Sequence, residues 1–310
     1  MDILIRSKLF VPASRPELFG KALASAADSI SFDLEDAVAE NRKAEARAAV
    51  SAFLRTALRQ PAGKAIIVRS NAVSSRHFED DMDAIVWSGL DILNLPKPES
   101  AAAVLMAASV LARFERKRGI TRPIGILANI ETPLALRRAA DIACADPRVI
   151  GLQLGFADLF APLGIDRSDT FAVRQVQLAV RLAAGEAGVW AFDAAFADVA
   201  NREGFQAEAQ AAQRLGYVGK TCIHPSQIEL ANAVFQPNQQ QIERAMRVIE
   251  VARSAEKTDV GAFTVDGRMV DAPFIREAQA IVGLATRLGL LPPDNEVGNT
   301  NPQRVARERP

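Results

Sequence analysis

Residues able to do chemistry recur in this chain at a regular beat. They are Asp33, Glu35 and Asp36, then Arg69 and Asn71, Lys97 between two prolines, Glu131, Asp158, Asp193, and Lys220 ahead of His224-Pro225. Each set follows a short apolar or β-branched run, so if those runs are parallel strands the charged groups share one edge of a sheet. Carboxylates gathered in this way repel one another unless cations join them. Carboxylate and water oxygens suit the hard Mg²⁺ ion, and an anionic substrate would complete the charge balance. The plain alternative for each carboxylate is helix capping or pairing with a nearby Arg, which stays open for Asp36 and Asp193. It is weaker for Glu131, because Thr132-Pro133 directly after it can start a helix unaided.

Other chemistries are poorly supplied. His77 and His224 are the two histidines of the chain, which argues against a Ser-His-Asp triad or a three-His zinc site and leaves acid–base work to carboxylates, Lys or water. Cys144 and Cys222 lie far apart without His at ligand-like spacing and read as small buried residues. No GxGxxG or Walker loop is present. Thirty-seven basic residues balance thirty-seven acidic ones, so nucleic acid is not an expected partner. No apolar run approaches about 18 residues, Met1-Asp2 begins without the run of a secretion signal, and two cysteines make no disulfide framework; a soluble, cytoplasmic protein without membrane contact is expected.

The elements that must position these residues follow from period. Strands are expected at Lys8 to Val11, Ser29 to Asp33, Ala65 to Arg69, Asp91 to Leu95, Ile124 to Ala128, Val149 to Leu154, Val189 to Phe192 and Tyr217 to Thr221. Amphipathic stretches near 16–25, 40–59, 78–88, 99–118, 132–141, 171–187, 203–214 and 225–235 alternate with them. Pro16 and Pro133 suit first turns, and Gly119 and Gly188 follow helix ends. Eight βα pairs within residues 1–235 predict an α/β fold, a closed (β/α)8 TIM barrel. Residues 236–290 predict a C-terminal helical extension, with helices at 239–256 and 271–288 around a small hairpin at Gly261 to Arg268. The Pro-rich remainder, 291–310, reads as a disordered tail.

Six motifs carry a family likeness: Arg6-Ser7-Lys8-Leu9-Phe10-Val11-Pro12, Asp33-Leu34-Glu35-Asp36-Ala37-Val38, Leu95-Pro96-Lys97, Ile130-Glu131-Thr132, Gly155-Phe156-Ala157-Asp158-Leu159 and Ile223-His224-Pro225-Ser226-Gln227. In this order, over about residues 5 to 288, the chain resembles the citrate lyase β-subunit-like family, within a larger group of aldolase and lyase barrels.

The resemblance implies Mg²⁺-dependent cleavage of a carbon–carbon bond in a 3-hydroxyacyl thioester of malyl, citramalyl or citryl type. It implies Glu131 and Asp158 as metal ligands, Arg69 facing the thioester carbonyl, and Glu35 and Asp36 orienting metal-bound water and Arg69. A guanidinium there would stabilise the enolate left by cleavage. The segment Gly267 to Pro273 resembles a lid over a neighbouring subunit's site, with Asp271 as its acid/base, which implies a homotrimer or hexamer; from sequence alone Asp271 reads as a helix N-cap. Arg15 and Lys220 are the implied contacts to the coenzyme A diphosphate. The family often has Glu where this chain has Ala157 and Gly-Pro where it has Ala194-Ala195, which leaves the substrate open. Asp36 stands where the aldolase branch tends to carry a catalytic His. The alternatives are a citrate lyase β subunit acting on an acyl-carrier-protein thioester, a thioesterase, and a barrel without turnover.

Overall fold

The structure, a computed structural model, describes residues 4–56, 64–256 and 262–291. Eight parallel strands close on themselves in sequence order: β1 (Ser7–Pro12), β2 (Ser29–Asp33), β3 (Ala65–Arg69), β4 (Ile92–Leu95), β5 (Gly125–Ile130), β6 (Val149–Leu154), β7 (Trp190–Asp193) and β8 (Gly219–Cys222). This is the expected (β/α)8 barrel. Helices follow the strands: α1 (Phe19–Ala24), α2 (Lys43–Thr56), α3 (Phe78–Ile85), α4 (Ala101–Arg118), α5 (Pro133–Arg137), α6 (Ala139–Ala143), α7 (Phe156–Phe160), α8 (Thr170–Glu186), α9 (Arg202–Arg214) and α10 (Ile228–Val234).

The punctuation works as its chemistry requires. Thr132 caps α5 through a hydrogen bond from the Ala135 amide, with Pro133 in the first turn, and Gly119 ends α4 with φ 66°. The ring closes where Ser7 of β1 pairs with Lys220 of β8. A Cβ on Gly219 would collide with the carbonyl oxygen of Ile5, so a residue with a side chain could not let β8 approach the entry to β1 this closely. Two differences from expectation stand out. Strand β5 runs on to Ile130, and the short helix α7 is a further element, because Gly155 ends β6 and lets the Phe156-Ala157-Asp158 segment turn at once into a helix.

Period-two alternation sorts the barrel interior into layers. Ile5, Ala65, Ile67, Ile92, Leu127 and Phe192 form an apolar cluster at the N-terminal end. One step up the same faces, Ile67 gives way to Arg69, Ile92 to Asn94, and Leu127 to Asn129 and then Glu131. A larger apolar cluster fills the space between strands and helices, with Ile66, Val68, Leu93 and Leu111 all fully buried. Each such side chain contributes roughly 1.5–3 kcal/mol by leaving water, so the lower barrel and its jacket carry the stability.

The described residues from Gln236 onward make a second compact unit. Helix α11 (Gln239–Glu256), strands β9 (Phe263–Val265) and β10 (Arg268–Val270), and α12 (Ala272–Arg287) pack through Ala245, Val248, Val265, Val270, Ala278 and Val282. The hairpin turn Asp266-Gly267 has positive φ at both residues, 49° and 73°, the conformation a two-residue turn needs to match strand twist. Residues 57–59 of the expected second helix, Gly261 of the hairpin and 292–310 of the expected tail lie outside the described residues. Among the described residues no helix is long and apolar enough to cross a membrane.

Candidate active site

The turn after β2 is built to hold one arginine. Asp33, almost fully buried, accepts from Arg69 Nε at 2.7 Å and Nη2 at 2.6 Å, a bidentate pair that fixes the guanidinium plane. The same carboxylate accepts the amides of Glu35 (3.0 Å) and Ala37 (3.2 Å), so it shapes its own turn. Lys43 of α2 clamps that turn from behind, donating to the carbonyls of Leu34 and Glu35 and to Asn71 Oδ1. Glu35, also buried, places Oε2 2.8 Å from Arg69 Nη1 and Oε1 3.0 Å from Lys97 Nζ. Asp36 is half-exposed, 3.6 Å from Arg69 and 3.5 Å from Lys97. Arg69 lies over the Phe10 ring, 5.1 Å from its centroid.

Glu131, from the end of β5, is 2% exposed and accepts the Lys97 amide at 2.9 Å. Asp158, in the first turn of α7, lies 3.5 Å from Lys97 Nζ and is open to solvent. Gly155 lets the two strand ends meet: a Cβ there would sit 2.5 Å from Glu131 Oε2. Arg69, Asp36, Glu131 and Asp158 all line one cavity of about 1010 Å³. Beneath it Lys8, Asn94 and Gln153 form a buried polar layer, the Lys8 ammonium donating to Gln153 and Asn94 and Asn94 Nδ2 to Asn129 Oδ1.

This mouth is short of positive charge. In formal charges, Asp33, Glu35, Asp36, Glu131 and Asp158 are five carboxylates against Arg69, Lys97 and the buried Lys8, a formal excess of two that the shifted carboxyls partly absorb. Burial, together with Glu131 and Asp36, lifts the Glu35 pKa to about 7 despite Arg69 and Lys97. Burial, then Asp158, raises that of Glu131. A divalent ion would supply the missing charge. Among the described residues no three His, Cys, Asp or Glu side chains converge into a cage. Two carboxylates that leave the remaining positions to water and substrate are what Mg²⁺ accepts, and the residues present fit it.

Other expected site residues stand apart. Lys220 is fully buried on the outer face of β8, its Nζ 2.5 Å from Asp193 and 2.6 Å from Glu208, while Arg167 reaches Glu208 at 2.8 Å. An ammonium enclosed by two carboxylates is not available to a diphosphate, which speaks against the coenzyme A contact expected of Lys220. Asp193 belongs to this network and takes no part in the mouth, as Gln177 also holds it at 3.0 Å. Arg15 is exposed, with Nε 2.9 Å from Glu17. In the C-terminal unit Asp271 occupies the N-cap position of α12 but caps no amide through its side chain; its Oδ1 is buried without a hydrogen-bond partner. The plain N-cap reading therefore does not account for it. His224 caps the turn after β8 through Nδ1 and the Ser226 amide. Cys222 is buried and Cys144 exposed, so the expectation of a buried thiol fails for Cys144.

The profile of the HpcH/HpaI aldolase/citrate lyase family matches residues 6–225. The chain belongs to that family. Within it, the citrate lyase subunit beta of Haemophilus influenzae is 38% identical over 286 residues, covering 90% of this chain and 96% of the relative. The L-malyl-CoA/beta-methylmalyl-CoA lyase of Cereibacter sphaeroides is 33% identical over 298 residues, covering 89% and 93%. Both relatives are carbon–carbon lyases. Among solved structures, CitE from Mycobacterium tuberculosis in complex with magnesium, acetoacetate and coenzyme A superposes with a TM-score of 0.71 at 34% identity, covering 92% of this chain and 98% of that one.

Proposed function

We propose that this chain is a Mg²⁺-dependent lyase that cleaves a 3-hydroxyacyl-CoA thioester of malyl, citramalyl or citryl type into an acyl-CoA and a keto acid. The observation that carries the reading is Arg69, locked by Asp33 and Glu35, opening onto the same cavity as Glu131 and Asp158. Arg69 points fixed donors at the thioester oxygen, where negative charge accumulates as the enolate forms, and its rigidity spares reorganisation during the reaction. Glu131 and Asp158 would hold the Mg²⁺, which when bound polarises the hydroxyl oxygen of the departing keto-acid fragment. Glu35 and Asp36 orient Arg69 and the water around the ion. Asp271, brought by the C-terminal segment of a neighbouring subunit in a homotrimer or hexamer, hands the proton to or from the acyl carbon. The Asp271 side chain caps no amide of α12, so the start of that helix does not claim it, which supports a role elsewhere. Arg15, exposed beside the mouth strand β1, meets the coenzyme A diphosphate.

The 38% identity to a citrate lyase subunit beta favours one second reading, in which the same chemistry acts on an acyl-carrier-protein thioester. Parallel incubations with the CoA thioesters and with the corresponding acyl-carrier-protein thioesters separate these. Purified protein with Mg²⁺ and, separately, malyl-, citramalyl- and citryl-CoA should release acetyl-CoA with glyoxylate, pyruvate or oxaloacetate, and EDTA or Glu131→Gln should abolish it. Cleavage of carrier-protein thioesters alone would select the second reading; free CoA with an intact hydroxy acid, or turnover indifferent to EDTA, would overturn the lyase assignment.

A further inference from the structure

Lys97 is the residue that touches both carboxylates assigned to the metal, by two different parts of itself. Its amide donates to Glu131 at 2.9 Å, and its ammonium lies 3.5 Å from Asp158, 3.5 Å from Asp36 and 3.0 Å from Glu35. Its backbone is left-handed, φ 48°, in a residue that is not glycine and is followed by Pro98, a combination that sterics disfavour. Such a conformation persists where surrounding contacts impose it, and here contacts act at both ends of the residue. Pro96 and Pro98 stiffen the turn further. The side chain therefore delivers a unit positive charge to the one part of the mouth where carboxylates outnumber cations.

We propose that Lys97 is the resident counter-ion of the divalent-cation site: its ammonium and the incoming ion compete for Asp158, while its strained backbone holds Glu131 in place for either occupant. The ammonium keeps the carboxylates together when the metal is absent and swings away from Asp158 when it arrives. It also sets how tightly the ion is held, since a unit charge about 6 Å from a divalent ion weakens binding about tenfold even under water-like screening. The inference rests on the metal assignment made under Proposed function.

The test reads metal binding directly, by Mn²⁺ titration followed through the EPR signal of the free ion, on the full chain without substrate. Lys97→Met and Lys97→Gln should each bind Mn²⁺ about tenfold more tightly than the parent, and Lys97→Arg, which keeps the charge, within about threefold of it. Unchanged or weaker binding in both neutral variants overturns the proposal, as does loss of the folded state in both, which would make the side chain merely structural. Asp158→Asn separates this failure from that of the underlying assignment. If the parent binds Mn²⁺ and Asp158→Asn does not, the metal site stands and the Lys97 variants judge Lys97 alone; if Asp158→Asn binds as the parent does, the site itself is wrong.

Discussion

Replacing Gly155 by alanine adds one methyl group at the point where β6 turns into α7. The backbone tolerates it, since φ is −127° and any residue adopts that value. The neighbours do not: the new carbon would lie 2.5 Å from Glu131 Oε2 and 2.6 Å from Glu131 Cβ, against an ordinary contact of at least 3.4 Å. A rotamer change could move the oxygen but not the Cβ, which is fixed to β5. The strand ends must part by about 1 Å, although the Gly155 amide ties them by donating to the Ile130 carbonyl at 3.1 Å. A displacement of that size in a catalytic group costs about 10²-fold in rate, and overpacking costs roughly 1–3 kcal/mol of stability. The assay is kcat/KM on the cleaved thioester beside Mn²⁺ affinity and Tm. Gly20→Ala is the internal control, because a Cβ there meets nothing within 4 Å and a helical Gly-to-Ala change should stabilise by about 0.5–1 kcal/mol. Full activity and unchanged Tm in Gly155→Ala would refute the claim that Glu131 is held by this contact.

Asp33→Asn removes one of two Asp33 acceptors for Arg69 together with the turn hydrogen bond that the same oxygen accepts, so kcat should fall about 10²-fold with KM within a fewfold, measured by steady-state kinetics; a change confined to KM would place Arg69 in binding alone. Lys220→Met leaves Asp193 and Glu208 buried without their shared ammonium and should cost about 3–5 kcal/mol in denaturant unfolding, with KM for the CoA thioester unchanged. Burial and Glu208 already push the Asp193 pKa up, so the folded variant binds a proton more readily than the unfolded chain. Its deficit should be full at neutral pH and shrink as pH falls toward the ordinary aspartate value of about 4. Burial lifts the Cys222 thiol to about 12, whereas Cys144 is exposed, so Ellman's reagent should titrate one thiol in the native protein and two in guanidinium.

The barrel was legible because its strands are short β-branched runs with charged residues just past their ends, and because Thr132-Pro133 and Gly119 mark helix ends by their own chemistry. Arg69, Glu131 and Asp158 were legible for the same reason: each ends or follows a strand. Their supports were harder to read. Asp33 belongs to the motif that also supplies Glu35 and Asp36, and nothing in spacing says that it, rather than they, grips Arg69 with both oxygens. Lys43 acts through the backbone carbonyls of Leu34 and Glu35, earlier in the chain, and looks like an ordinary charge of an amphipathic helix. A signal did exist for the buried layer. Lys8, Asn94, Asn129 and Gln153 interrupt strands that a parallel barrel would otherwise fill with apolar residues, and a polar group there has to be satisfied from inside. Lys220 misled for the complementary reason: sequence places it near the end of β8, but its parity turns it away from the barrel axis, toward Asp193 and Glu208.

The two charged clusters differ in a way that bears on function. Asp193, Glu208, Lys220 and Arg167 are two carboxylates and two cations, each bonded to another, so the network is neutral within itself and has no need of a ligand. The mouth is built with the same residue types but is more open, with Asp36 and Asp158 reaching solvent, and its formal charges do not balance, so that one carboxyl, Glu35, is lifted to about 7. Folding alone would favour the first arrangement at both places, because an uncompensated buried charge costs more than a paired one. The imbalance at the mouth is held in place by Arg69, which donates to Asp33, by Lys97, which donates to Glu35 and through its amide to Glu131, and by Lys43, which fixes the turn through the Leu34 and Glu35 carbonyls. It is there that a cation and an anionic substrate would lower the energy together.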